Sequence, residues 1–310
     1  MKIGLVSRVG MYHLESWEEE FKVAASLEAK HLELIINYPY FGPSSYTSGE
    51  MFRIKDLSHR YNMELIFHLL PLYEHAPENV RNQFISIYGR KKFFDDEKRL
   101  QNRFFDIATL DDDVRKFSVR ELTKTYNLAA LAGAKIITIH GGYFESFRTY
   151  RDHLEHARDT LENLNGTFKQ AKLCIENLPI MGHRGQIPYE LPLETQDVVD
   201  LIKNLDIGIC FDIGHANTIG DPLDFYHRLK QTGKILNMHL HDNNKKADDH
   251  LPLRKGNIDF KSFIQLLKKD NYEGYVSIEL DTWCRPPEKM SKKERIDGMK
   301  YINKILTELH

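Results

Sequence analysis

Eight short apolar runs, rich in β-branched residues and bounded by polar residues or glycine, recur along the chain. They are Lys2–Ser7, His31–Ile36, Glu64–Leu70, Lys135–Gly141, Leu173–Asn177, Ile207–Asp212, Ile235–His241 and Tyr275–Leu280. Runs of this length and composition read as buried strands. Between them lie segments with the helical apolar period: Leu14–Ala29, Val114–Ala132, Tyr150–Ala171, Leu193–Leu205, Asp221–Thr232, Phe260–Lys269 and Lys289–Leu309. Gly133 and Gly233 stand where glycine closes a helix ahead of the next strand. Strand and helix alternate from end to end, which dictates an α/β fold with a parallel sheet under helices. Eight such units favour a single (β/α)8 TIM barrel over a doubly wound open sheet. At 310 residues the chain can bury one such core, so 1–310 is read as one domain.

One connection breaks the regularity. From Pro71 to Asp113 the chain runs far beyond the few residues usual between strand and helix, so 71–113 is read as an insertion or lid after the third strand. Within it, Arg90-Lys91-Lys92, Phe93-Phe94, Lys98-Arg99, Arg103 and Phe104-Phe105 interleave basic and aromatic side chains. That composition suits either a grip on phosphate or an amphipathic helix packed on the barrel rim. A second insertion, Ile180 to Leu193, is rich in glycine and proline and carries His183 and Arg184.

Composition narrows the partners. A formal net charge of -2 gives no global attraction to nucleic acid or to an acidic membrane surface. Met1 to Gly10 reads as a strand rather than a secretory signal, and no apolar run approaches membrane-spanning length, so the expectation is a cytoplasmic protein without membrane partners. Cys174, Cys210 and Cys284 are odd in number and widely spaced, and are read as free thiols rather than a zinc motif. Exposed barrel helices leave a homo-oligomer open.

The chemistry gathers at the strand ends. Strands three to eight close on His68, His140, Glu176, Asp212 with His215, His239 and Glu279. In a barrel the carboxyl ends of all strands converge on one mouth, so these residues become neighbours. A carboxylate ending an apolar strand, as Glu176 and Glu279 do, is costly to bury without a metal ion or a positive partner. His239 and His241 share one side of their strand by its period of two, with His239 the better ligand. Asp248 and His250 follow on a loop that can reach back over the mouth. Together these oxygen and imidazole donors are what a zinc, manganese or similar divalent site requires.

With these residues in place, the chain resembles the xylose isomerase-like TIM-barrel superfamily over essentially its whole length. That superfamily holds sugar and sugar-phosphate isomerases and epimerases, and also the endonuclease IV family of abasic-site nucleases. The isomerase branch implies one divalent metal, Mn or Zn, on Glu176, Asp212, His239 and Glu279, with His215 binding substrate and His68, His140 and His241 as further substrate-binding candidates. The nuclease branch implies up to three Zn ions, with His68, His140, His215, Asp248 and His250 joining the ligand set. Its patterns carry Asp-Thr-Cys-His and His-x-Asn-Asp where this chain has Asp212-Ile213-Gly214-His215 and His239-Leu240-His241-Asp242. Arg254-Lys255-Gly256 stands where both branches usually have Gly-x-Gly.

Two enzyme classes follow. The first expectation is a divalent-metal-dependent isomerase or epimerase acting on a small carbohydrate, a sugar or sugar phosphate, with the metal stabilising an enediolate and Glu176 and Glu279 as catalytic groups exchanging the proton. The alternative is a trinuclear zinc phosphodiesterase acting on abasic DNA. Charge separates them: three divalent ions against Glu176, Asp212, Asp248 and Glu279 leave a positive centre suited to phosphate, and one ion leaves a negative centre. A barrel that only binds ligand would leave these donors idle.

Overall fold

In the computed structural model, the described residues are 1–7, 16–38, 47–71, 85–86, 89–91, 106–182, 185, 187–280 and 292–308. Their element order is β1 Lys2–Ser7, α1 Trp17–Ser26, β2 His31–Tyr38, α2 Ser48–Arg60, β3 Glu64–Pro71, α3 Asp112–Leu131, β4 Ile136–Ile139, β5 Gly142–Tyr143, α4 Tyr150–Leu164, β6 Lys172–Glu176, β7 Glu190–Leu191, α5 Thr195–Ile202, β8 Gly208–Asp212, α6 Ile213–Ile219, α7 Pro222–Lys230, β9 Ile235–Leu240, α8 Phe260–Lys269, β10 Tyr275–Ile278 and α9 Lys292–Glu308. Eight strands close a barrel in the order β1-β10-β9-β8-β6-β4-β3-β2, and β5 pairs with β7 as a separate ribbon. All eight barrel pairings are parallel. All eight expected strands are present, with no end shifted by more than two residues. Helices α2 and α6 are additions to the expected set.

The parallel strands read as continuous apolar runs because both of their faces are covered. Ile136–Ile139 and Gly208–Asp212 are buried at every position. Outside the barrel, α8 shows how the helices hold on: Phe260, Phe263, Ile264 and Leu267 fall at helical spacing and are all buried, while Asp259 caps Ser262 N at 3.1 Å. Truncating Leu267 to alanine removes a packed side chain worth about 2–5 kcal/mol. The glycine stops foreseen before β4 and β9 have positive φ, 88° at Gly133 and 65° at Gly233.

Inside the barrel the period of two stacks layers. Ile66, Ile136, Cys174 and Cys210 form a small buried cluster of their own. Two residues further along β3, β6 and β8 come His68, Glu176 and Asp212, so the charged layer lies directly above the apolar one. Cys174 and Cys210 are buried free thiols, as expected. Cys284 lies outside the described residues, as do His183 and Arg184.

Of the long connection after β3, residues 85–86, 89–91 and 106 onward are described. Arg90 and Lys91 are exposed, and the rest of the basic and aromatic stretch lies outside the described residues. Its return is clamped: Asp106 Oδ1 accepts from Ala108 N at 2.9 Å and from Tyr143 N at 3.0 Å, while Ile107 and Ala108 are fully buried. Gly142 permits this, since a Cβ there would lie 2.4 Å from Asp106 Oδ1 and its φ is +118°. None of the described helices is long and apolar enough to cross a membrane.

Candidate metal centre

The register of the strands assembles the site. Asp212 pairs with His239, and His239 with Ser277, so β8, β9 and β10 present donors at one level. Asp212 is also the N-cap of α6, and its Oδ1 accepts from His215 N at 2.6 Å, which fixes the first turn that carries His215. Asn177 braces the neighbouring strand end: its amide takes both Asp212 N, at 2.9 Å, and Asp212 O, at 3.0 Å. After β9 the chain doubles back through an antiparallel bridge between Asp242 and Leu251, which carries Asp248 and His250 over the mouth. Asp242 holds that loop by accepting from Asn243 N, Gly256 N and Ile258 N. His250 and Arg254 take left-handed backbone, φ 42° and 74°, the latter where the related patterns place glycine.

The ten donor residues expected from sequence are all at this mouth, 8 % exposed or less. Three adjoining groups take in all ten: His68, His140 and Glu176; Glu176, Asp212, His239 and Glu279; and His215, His241, Asp248 and His250. Two further groups overlap them, Glu33 with His68 and His239, and Glu176 with Cys210 and His239. Glu176 Oε2 faces His68 Nε2 at 3.0 Å and His140 Nε2 at 3.4 Å, and its Oε1 faces His239 Nδ1 at 2.9 Å. His239 Nδ1 also lies 3.0 Å from Glu279 Oε2 and 3.8 Å from Asp212 Oδ2. In the third group Asp248 Oδ2 lies 3.3 Å from His215 Nε2 and 3.1 Å from His250 Nε2.

These donors fit divalent ions. Bonds of about 2.1 Å in a tetrahedron place neighbouring donors roughly 3.4 Å apart, and the separations around His239 Nδ1 bracket that value. Both nitrogens of His68, Glu176 Oε2, Asp212 Oδ2 and Glu279 Oε2 are buried and make no well-formed hydrogen bond. Polar atoms left so at this depth are costly unless something else satisfies them. Two other ring nitrogens are oriented from behind. His215 Nδ1 donates to Asn177 O at 2.8 Å, and His239 Nε2 donates to Glu33 Oε1 at 3.0 Å. Such partners fix the tautomer and turn the other nitrogen toward an ion.

Electrostatics agree. Burial pulls the His68 pKa down, but Glu176 and Glu279 outweigh it and raise it to about 9. Burial likewise opposes, and Asp212, Asp248 and Glu176 raise, the pKa of His215 to about 10. Burial pushes Glu176 up, yet His239 and His68 hold it well below the usual carboxylate range. Without ions, histidine protons balance the carboxylates; ions would displace those protons.

Three residues escaped the sequence reading. Glu33 is fully buried inside the barrel, accepting from Ser277 Oγ at 2.6 Å and Asn237 Nδ2 at 3.0 Å besides His239. The signal was there: one carboxylate inside the apolar run His31–Ile36. Glu190 on β7 lies 3.4 Å from His140 Nδ1, and Asn177 was passed over as an amide.

A family model described as xylose isomerase-like TIM barrel matches residues 21–302. Among curated proteins, the chain is 32% identical over 180 residues to the uncharacterized protein MJ1311 of Methanocaldococcus jannaschii, covering 56% of this chain and 59% of that one. It is 28% identical over 168 residues to a probable endonuclease 4 of Mycobacterium leprae, covering 52% and 64%. The chain thus spans less than two thirds of each of these relatives. Among solved structures, a D-tagatose 3-epimerase-like protein superposes with a TM-score of 0.72 at 20% identity, covering 99% of this chain and 97% of that one. Endonuclease IV from Thermus thermophilus superposes with a TM-score of 0.67 at 14% identity, covering 99% and 100%. At these identities the structures speak for the fold. The match of the family model over nearly the whole barrel decides the membership, and the chain belongs to the xylose isomerase-like TIM-barrel family.

Proposed function

We propose that the chain is a multinuclear metal-dependent hydrolase of phosphodiesters, with abasic DNA the first substrate to test. The observation that carries this reading is Glu176, whose two oxygens face different histidine sets, His68 and His140 on one side and His239 on the other. A carboxylate shared in this way would hold one ion with His68 and His140 and another with His239. The third group adjoins it, since His215 Nδ1 lies 3.5 Å from Glu176 Oε1.

Bound divalent ions supply Lewis-acid charge to phosphate and lower the pKa of water. The chain's own part is to hold the donors still and dry. Asp212 Oδ1 is committed to the α6 backbone, which leaves Oδ2 for the centre. Glu33 fixes His239, and Glu190 stands behind His140. These two carboxylates lower the net charge of a three-ion centre below the count made from sequence. A phosphate would therefore meet the ions more than any general positive field.

The isomerase or epimerase reading comes second. In its favour, Glu176, Asp212, His239 and Glu279 make a complete four-donor set by themselves. Against it, Glu176 is fully buried with histidine nitrogens at both oxygens, which leaves it no open face toward a substrate carbon. Metal content per chain by elemental mass spectrometry, with cleavage of an oligonucleotide bearing one abasic site, decides between them. About three ions and strand cleavage are expected; one ion at saturation, with turnover of ketoses only, reverses the order.

A further inference from the structure

The ribbon of β5 and β7 lies in the connections that follow β4 and β6, so it stands at the same mouth as the donors. Gly142 pairs with Leu191 and Tyr143 with Glu190, and the ladder continues through Phe144 N, which donates to Tyr189 O at 2.8 Å. At its inner end Glu190 Oε1 lies 3.4 Å from His140 Nδ1. At its outer end three rings meet. Phe144 is buried, with its centroid 5.2 Å from that of Phe147 and 5.4 Å from that of Tyr189, and Phe147 and Tyr189 are 6.2 Å apart.

Two features of this outer end point to a ligand. Phe147 is 52 % exposed, and Ile187, two residues before Tyr189, is exposed as well. Burying such side chains is worth ~1.5–3 kcal/mol each, which this end of the ribbon forgoes. Tyr189 holds left-handed backbone, φ 55°, a conformation that costs a bulky residue energy and that recurs at ligand clamps. Its chain neighbour Glu190 is the residue that faces His140, so the rings continue the wall of the mouth outward. Arg148, next to Phe147, is exposed too. Positive charge beside aromatic faces is how a single nucleic-acid strand is held, charge for its backbone and rings for its bases.

We propose that Phe147 and Tyr189 form a stacking platform for a nucleobase next to the phosphodiester held at the donors, so that the substrate is a strand with an intact base beside the cut. The proposal rests on the phosphodiesterase reading and narrows its substrate. A monosaccharide held at the donors ends inside the mouth, whereas a nucleic-acid strand has to cross the rim, and the rim is where these rings stand.

The test uses the full-length, metal-loaded protein and two oligonucleotides, one with a single abasic site between ordinary nucleotides and one in which the nucleotides on either side are abasic too. Wild type should show a KM roughly tenfold higher on the second, where the stacked base is missing, with little change in kcat. Phe147→Ala should raise KM on the first oligonucleotide by a similar factor and on the second hardly at all. Tyr189→Gly, which removes the other ring and tolerates the positive φ, should do the same. Phe147→Trp should keep the wild-type values. Equal losses on both oligonucleotides, or no loss on either, overturn the platform while strand cleavage still upholds the hydrolase. If wild type cleaves neither, the hydrolase reading fails, and fluorescence anisotropy of the same two oligonucleotides, labelled, judges the platform alone. A preference for the first that disappears in Phe147→Ala sustains it, and equal binding of the two overturns it.

Discussion

Among the described residues, two of the places where charges are buried balance them differently. Between α1 and α9, Glu20 and Arg295 are almost wholly enclosed; the guanidinium reaches Glu20 Oε2 at 2.9 Å and Val6 O at 3.4 Å. Here a carboxylate faces a guanidinium, a cation that keeps its charge at any ordinary pH. At the mouth, Glu33, Glu176, Asp212 and Glu279 have histidines as their charged partners. Histidine balances a carboxylate only while protonated, so this cluster stays open to replacement of its protons by metal. The same desolvation cost thus marks a structural clamp in one place and a binding site in the other.

The sharpest way to break the comparison is Glu176→Gln. Loss of the shared carboxylate should lower metal content and reduce turnover on the order of 10³-fold, and the chelated protein should melt lower because buried His68 and His239 lose their counter-charge; a variant keeping its full metal complement would show that Glu176 holds no ion. Next, Arg295→Met should cost about 3–5 kcal/mol in denaturant unfolding by stranding Glu20, with metal content unchanged. Replacing Glu20 by methionine as well should recover most of that loss. Glu33→Gln is smaller: it leaves His239 in place but weakens its orientation, and metal affinity should fall about 10–100-fold in competition with a chromogenic chelator.

The mildest prediction concerns pH. His68 has its pKa raised from 6.5 to about 9, so in the chelated protein its stabilising contribution is complete below pH 6.5 and is lost as pH rises through 9. Glu176 acts oppositely: its contribution is present above pH 4.5 and is lost in more acidic solution as it protonates. Melting of the chelated protein should therefore drop between pH 6.5 and 9, and the metal-loaded protein should drop less. Parallel curves would mean that the ions do not take over the charge balance.

The barrel and the membership of the mouth were legible because both are periodic. Strand runs announce themselves, and residues two apart share a side, the rule by which His68 lies above Ile66 and Glu176 above Cys174 in the structure. Legibility failed where the period stops. β9 ends at Leu240, so His241 leaves the strand direction and joins His215 and His250 instead of lying beside His239. Helix α6 begins within Asp212-Ile213-Gly214-His215 and lasts seven residues, too short to show an apolar stripe. Helix α2 carries a mostly polar surface around Met51, Ile54 and Leu57. Glu33 was missed for another reason: it lies inside its strand, where burial cost signals a partner but not which one.

The clamp at Asp106 has a consequence for chain length. It settles where the chain re-enters the scaffold, as β3 settles where it leaves. With both ends held, the number of residues between them weighs little on stability, because doubling a loop costs only about 0.6 kcal/mol of closure entropy. So long as neither β3 nor the turn held by Asp106 is touched, a change in the length of chain between these two anchors should cost the barrel little.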